Sequence, residues 1–342
     1  MKKCKGCGEI LQFEDKNLPG YAPNEDFDYC RRCFRLTHYG DTSKVNKEDT
    51  KNEDIIKAYK EIDDGLFVVI CDPFDALFLS EDNLLSSFEG KDILLIINKI
   101  DLLPKNITEE KLNKIYLDSL KKCKNINCLI TYKNDESFNE LFFGVLEELN
   151  YKKIVFAGRA NVGKSSLINK LLEDKVLTTS IYPGTTIKLN KIKYQGYTFI
   201  DTAGLIDKES FLSHLSNANV KELLPLKTLK RQMFQLYENQ SYIINGLLRV
   251  DIKPVKNASI EFMVNNNLEV HRTKLENADR YFDRNCKDDK LRLLPLKSHE
   301  YKVDKFNTFY LKGLGIFKIK GKCDVDIKVN DDIKVYISEV NL

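Results

Sequence analysis

From residue 66 onward the chain alternates short apolar runs with stretches of mixed polarity. The runs at 66–71, 93–97, 128–130, 153–157 and 197–200 are apolar at almost every position, the pattern of strands covered on both faces of a sheet. Between them, residues 108–121 and 137–149 carry apolar side chains at helical spacing, and a further helix is expected to start near Lys164. This alternation predicts an α/β fold with right-handed crossovers and a mostly parallel, doubly wound sheet. Ligands of such sheets sit at the carboxyl ends of the strands.

Both flanks read differently. Residues 1 to about 40 are rich in Cys and Gly and lack long apolar runs, so they need a staple to fold. A charged stretch at 41–54 leads into an expected helix at 53–61. After residue 207 a helical, mixed-charge segment is expected at 209–236, followed by antiparallel strands at 242–252, 259–264, 308–319 and 324–335. The predicted organisation is a small N-terminal module at 1–42, an α/β domain at 43–208 and an α+β domain at 209–342.

Composition adds limits. Of 342 residues, 42% are hydrophobic and 31% charged, as in ordinary globular proteins. The apolar runs fall far short of the roughly 20 residues of a membrane span, and Met1-Lys2-Lys3-Cys4 enters a cysteine motif without the apolar core of a signal peptide. A cytoplasmic chain with no membrane partner is the expectation. The net charge of +3 is too small to announce a nucleic-acid binder.

Chemistry enters at Gly158-Arg159-Ala160-Asn161-Val162-Gly163-Lys164-Ser165. It has the spacing of a phosphate-binding P-loop and lies between an expected strand and an expected helix. Glycines let main-chain N–H groups close around phosphate oxygens, Lys164 reaches the β and γ phosphates, and Ser165 offers its hydroxyl to Mg²⁺. Ser166 completes this part of the candidate site. Downstream, Asp201-Thr202-Ala203-Gly204 supplies a carboxylate for the Mg²⁺ shell, through water, and a glycine whose N–H faces the γ-phosphate. Pro183-Gly184-Thr185-Thr186 lies between them, with Thr186 preferred to Thr185 as a further Mg²⁺ ligand. Lys164, Asn161, Thr186 and Gly204 are the candidate catalytic residues.

Asn98-Lys99-Ile100-Asp101 selects the base. A carboxylate there accepts two hydrogen bonds from N1–H and the exocyclic amine of guanine, a donor pair that adenine lacks. Asn98 braces neighbouring loops and Lys99 lies over the base. Ordinary GTPases carry this motif after the P-loop. Here it comes first, so the GTPase domain reads as circularly permuted, which a sheet tolerates when old termini are joined and a new break opens in an exposed loop.

With the cysteine pairs Cys4-x2-Cys7 and Cys30-x2-Cys33, and with Asn245-Gly246-Leu247-Leu248-Arg249-Val250-Asp251, His271-Arg272-Thr273-Lys274 and Gly313-Leu314-Gly315, nearly the whole chain resembles the YqeH-type circularly permuted GTPases. That resemblance implies a role in assembly of the small ribosomal subunit and a C-terminal RNA- or protein-binding domain related to the tryptophan-RNA-binding attenuation protein. It also implies that Thr131-Tyr132-Lys133 occupies the base-supporting position where a Ser-Ala pair and Lys are usual, and that Ala203 replaces the usual Pro. Similar GTPases with Asn at position 161 bind K⁺ beside the phosphates, where a cation substitutes for an arginine finger. Leu205 stands where small GTPases place a water-orienting Gln, so slow intrinsic hydrolysis is expected.

Four thiolates from Cys4, Cys7, Cys30 and Cys33, with 22 residues between the two pairs, suit a structural Zn²⁺ ribbon. Redox-active pairs are the alternative. Cys71, Cys123, Cys128, Cys286 and Cys323 lack ligand spacing and read as packing residues. Arg31, Arg32, Phe34, Arg35, His38 and Tyr39 mix cations with rings, which suits rRNA or a solvated surface. From Gly246 onward 19 Lys and Arg face 15 Asp and Glu. Lys312, Lys318, Lys320 and Lys322 recur along an expected hairpin, where the last three share a face that follows a phosphate backbone or is merely solvated; Arg272 and Lys274 beside His271 carry the same two readings. The functional expectation is a GTP and Mg²⁺ switch that holds a small-subunit precursor through rRNA or ribosomal proteins. Alternatives are a zinc-containing rRNA scaffold with a structural nucleotide, and an ATP-using kinase or ATPase, which Asp101 opposes.

Overall fold

Apolar runs become central strands because both of their faces must be covered. The computed structural model describes residues 2–4, 9–16, 18, 20–31, 52–120, 126–130, 137–172 and 190–340. In it β1 (Leu66–Cys71), β2 (Asp92–Ile97), β3 (Ile126–Ile130), β4 (Lys153–Gly158), β5 (Asn190–Tyr194) and β6 (Tyr197–Asp201) form a sheet ordered β3-β2-β1-β4-β6-β5. Neighbours run parallel except β5 and β6, a hairpin turned by Gln195 and Gly196, both at positive φ as such two-residue turns demand.

Helices cover both faces. In chain order α1 (Asn52–Lys60) precedes β1, α2 (Glu109–Leu120) precedes β3, α3 (Phe138–Leu149) follows it, and α4 (Lys164–Leu171) follows β4. Phe138, Phe142 and Leu146, four apart, make one buried stripe on α3 and pack with Leu167, Ile168 and Leu171 of α4 against Val68, Ile70 and Phe156. Burying each such side chain contributes roughly 1.5–3 kcal/mol. Asn150, left-handed at φ 55°, ends α3. On the opposite face Tyr59 of α1 stacks on Phe88 at 5.2 Å and meets Phe67 edge-on at 5.7 Å.

Two compact units result, residues 1–100 with 119–206 and residues 101–118 with 207–342. In the second, α5 (Phe211–His214) and α6 (Asn217–Leu223) lead into β7 (Gln232–Leu236), β8 (Gln240–Ile244), β9 (Leu248–Pro254), β10 (Ala258–Val264) and β11 (Val270–Lys274). Then come α7 (Ala278–Asn285), β12 (Leu296–Val303), β13 (Phe306–Leu311), β14 (Gly315–Lys320), β15 (Cys323–Asn330) and β16 (Val335–Ser338). Antiparallel pairing gives two five-stranded sheets, β16-β13-β14-β10-β7 and β11-β8-β9-β15-β12.

Two sequence expectations are corrected here. The helix expected over 209–236 is two short helices and a strand. Ser210 and Ser216 cap separate helices by accepting N–H bonds from Leu212 and Asn219, Pro225 disfavours helix at Leu224, and Gln232–Leu236 gains a β10 ladder instead. The lysine series is not one open phosphate-facing row. Lys312 is 3% exposed and pairs with Asp207 at 2.9 Å and Glu209 at 3.0 Å, and Lys318 is buried against Glu261 at 2.9 Å. Only Lys320 and Lys322 of the four are exposed.

Lys312 clamps the start of this unit. Its carbonyl accepts from Phe211 N–H and Ser210 Oγ, and Tyr336 donates its hydroxyl to Glu209. Burial alone would raise the Glu209 carboxyl, but the bonds from Tyr336 and Lys312 hold it below its ordinary 4.5. Stability linked to a depressed carboxyl is fully present above the unfolded value and lost as pH falls through the folded one. Urea midpoints measured from pH 7 to pH 3 should therefore fall more steeply for the wild-type chain than for Glu209→Gln, and parallel slopes would refute the clamp.

Candidate nucleotide site

The turn from β4 into α4 is built by backbone constraint. Gly158 has φ 142°, and a Cβ there would stand 2.4 Å from the Ile70 carbonyl oxygen. Gly163, at φ 91°, would place a Cβ 2.5 Å from Asn98 Nδ2. Asn161 and Lys99 also lie at positive φ, 69° and 65°.

The loop is held from outside by its carbonyls. Asn98 Nδ2 donates to Val162 O at 3.0 Å, while Lys99 Nζ donates to Asn161 O. In a trans peptide the following N–H points opposite the carbonyl, so the N–H groups of Val162 and Gly163 turn away from Asn98 and Lys99, toward the loop's concave side. Ala160 N–H donates to Leu205 O at 2.9 Å and Leu205 N–H to Gly158 O at 3.0 Å. Gly204 lies against Ala160, whose Cα would be 2.9 Å from an added Cβ.

Charge is concentrated in two buried sets. Lys164, 6% exposed, forms an ion pair with Asp201, 2% exposed, at the end of β6. Arg159 pairs with Asp82 and, at 3.5 Å, with Asp75, two carboxylates from the connection between β1 and β2. Thr202 donates to Phe156 O at 2.7 Å and lies 3.1 Å from the Tyr59 hydroxyl, whose pKa burial raises. A cationic lysine, a carboxylate and a helix N-terminus around N–H groups turned away from Asn98 and Lys99 make a seat for a phosphate chain and its divalent cation.

Residues 153–265 match the family described as "50S ribosome-binding GTPase". Across 348 aligned residues the chain is 31% identical to the "Uncharacterized protein YqeH" of Bacillus subtilis, an overlap of 95% of this chain and 94% of that protein. The chain belongs to the YqeH family of GTPases. It is also 30% identical over 250 residues to GTPase Der of Buchnera aphidicola, covering 63% of this chain and 52% of Der. It is 24% identical over 340 residues to NO-associated protein 1 of Arabidopsis thaliana, covering 82% of this chain and 60% of that protein. A member of the YqeH family is a P-loop GTPase that hydrolyses GTP and takes GTP or GDP with Mg²⁺.

Of the residues expected at the site of this YqeH-family chain, Asn98, Lys99, Gly158, Arg159, Ala160, Asn161, Val162, Gly163, Lys164, Asp201 and Gly204 are linked by the contacts above. Ser165 and Ser166 open α4, half-buried and exposed respectively. Asp101 is exposed and belongs to the second unit, where its carbonyl accepts from Thr228 Oγ1 at 2.9 Å. Thr131, Tyr132, Lys133, Thr185 and Thr186 lie outside the described residues, as do Cys7, Cys33, Cys123, Arg32, Phe34, Arg35, His38 and Tyr39. Cys4 and Cys30 are buried, and Cys30 N–H donates to Cys4 Sγ at 3.1 Å. Cys71, Cys286 and Cys323 are also buried, and burial pushes the Cys286 and Cys323 thiols up to about 11. No helix among the described residues is long and apolar enough to cross a membrane.

Sequence reasoning missed Asp75, Asp82, Asn52 and Tyr59. Asp72-Pro73-Phe74-Asp75 at the carboxyl end of β1 carries a signal, since ligands gather at strand ends. The others carried none.

Proposed function

We propose that the chain is a cytoplasmic guanine-nucleotide switch that assists ribosome assembly, holding a small-subunit precursor through rRNA or ribosomal proteins in one nucleotide state. The observation that carries the switch reading is the pair of bonds from Asn98 and Lys99 to loop carbonyls 64 and 62 residues later. They support a single site shared by a base-reading motif and a phosphate loop met in reverse chain order. That order, together with a family match that begins at residue 153 and excludes residues 98–101, supports a circularly permuted domain. The ribosomal part rests on the description of the matching family, which names the 50S particle, and on the YqeH resemblance for the small subunit.

In this reading Lys164 holds the β and γ phosphates. Ser165 and Thr186 ligate Mg²⁺, Asp201 acts through its water, Gly204 N–H meets the γ-phosphate, and Asp101 reads guanine with Thr131, Tyr132 and Lys133 beneath the base. Both polar atoms of the Asn161 carboxamide are buried with no hydrogen-bond partner among the described residues, which supports a K⁺ contact there. Leu205 is buried and offers no polar group to orient water, which supports slow intrinsic turnover. Zn²⁺ would be held by Cys4, Cys7, Cys30 and Cys33; the N–H bond onto Cys4 Sγ suits a thiolate, and the metal would staple the N-terminal module.

GTP turnover measured in KCl and in NaCl, with and without small- or large-subunit particles, tests this function. Turnover is expected to rise in KCl and to rise further with small-subunit particles. Equal rates in both salts would remove the K⁺ role, and stimulation by large-subunit particles alone would overturn the small-subunit assignment.

A further inference from the structure

We propose that Asn52 is a positioning residue for GTP hydrolysis, acting on the γ-phosphate loop through the main chain of Ile206. Its carboxamide addresses both main-chain groups of that residue: Nδ2 donates to Ile206 O at 2.6 Å and Oδ1 accepts from Ile206 N–H at 2.8 Å. This is the pairing a neighbouring strand would supply, delivered by one side chain 154 residues away in sequence.

The same helix grips the other end of the loop. Tyr59 of α1 is fully buried, and its hydroxyl donates to Thr202 Oγ1 at 3.1 Å, the Thr202 hydroxyl being committed to Phe156 O. Thr202 and Ile206 bracket Gly204, and Leu205 between them is bonded to the phosphate loop in both directions. Residues 202–206 are thus fastened at 202, 205 and 206, on either side of Gly204. Ile206 is also the last residue of the first unit before the chain continues at Asp207. A short planar amide sets a donor and an acceptor on two separate atoms, as a peptide group does, which a single Ser or Thr hydroxyl does not. Aspartate keeps the acceptor and sets a carboxylate against Ile206 O, and alanine loses both bonds.

This proposal rests on the assignment of Gly204 to the γ-phosphate, and the experiment separates the two. Affinities for GDP and for a non-hydrolysable GTP analogue, with kcat and KM, are measured on the full chain as wild type and as Asn52→Ala, Asn52→Asp, Tyr59→Phe and Gly204→Ala. Losing two neutral hydrogen bonds, both to the main chain of Ile206, corresponds to about tenfold. Asn52→Ala should bind GDP within about twofold of wild type yet lose about tenfold in analogue affinity and kcat. Asn52→Asp should fall between, and Tyr59→Phe, which keeps the ring packing, should shift the same ratio by a smaller factor. An equal loss for GDP and analogue, or no loss for either, overturns the proposal. If Gly204→Ala loses the analogue preference while Asn52→Ala and Tyr59→Phe keep it, the proposal alone fails; if Gly204→Ala keeps it, the γ-phosphate assignment fails as well.

Discussion

Replacing Lys164 by alanine is expected to lower kcat for GTP by roughly 10²–10³ and to destabilise the nucleotide-free chain at the same time. The first effect is the loss of a fixed cation from the β and γ phosphates, where negative charge moves during transfer. The second follows from the ion pair with Asp201. Both partners are almost wholly buried, and removing one partner of a buried pair costs about 3–5 kcal/mol because the other charge loses its paired cation. For a protein of this size that corresponds to a fall in Tm on the order of 10 °C. Adding Asp201→Asn to Lys164→Ala removes the stranded charge and should restore most of the stability without restoring turnover. Thermal melts with and without nucleotide, alongside steady-state turnover, check both halves. A Tm within about 2 °C of wild type would mean that Asp201 finds another partner and that the pair is incidental.

Asp101→Asn should convert the chain from a guanine to a xanthine binder. In the proposed site the carboxylate would accept two charge-assisted bonds from the guanine edge, each contributing about 1.5–3 kcal/mol, so GTP affinity should fall roughly 10²–10⁴-fold. Xanthine carries an oxygen where guanine carries the exocyclic amine, and the new amide N–H can donate to it, so XTP should bind better than GTP. Competition of labelled GDP by GTP, XTP and ATP reads both changes, and the gain for XTP separates altered recognition from misfolding. Unchanged GTP affinity would remove Asp101 from the site.

What could be read from sequence follows from which constraints are local. Gly158 and Gly163 are forced by contacts that a Cβ would violate, one against the Ile70 carbonyl and one against Asn98, and such requirements leave glycines at fixed spacing. The strands β1, β2 and β4 were legible as uninterrupted apolar runs because the sheet is covered on both faces. The pairings of Asn52, Tyr59, Asp75 and Asp82 were not legible, even where, as at Asp75, the strand-end position was. Their partners stand 154, 143, 84 and 77 residues away, and no local pattern records a partner at that distance. Lys312 and Lys318 show the complementary limit: alternation tells which side of a strand a lysine occupies, but whether Asp207, Glu209 or Glu261 covers that side is decided by tertiary packing. The segment 209–236 read as helix from its leucines and mixed charge, and lost that form to serine caps, Pro225 and a vacant edge beside β10.

Co-sedimentation of the purified chain with small-subunit particles, loaded with a non-hydrolysable GTP analogue or with GDP, tests the switch most directly. Pelleting at least about tenfold stronger in one nucleotide state is expected for a switch whose states differ by some 1.4 kcal/mol or more in particle affinity. Equal pelleting with analogue, with GDP and without nucleotide would contradict it.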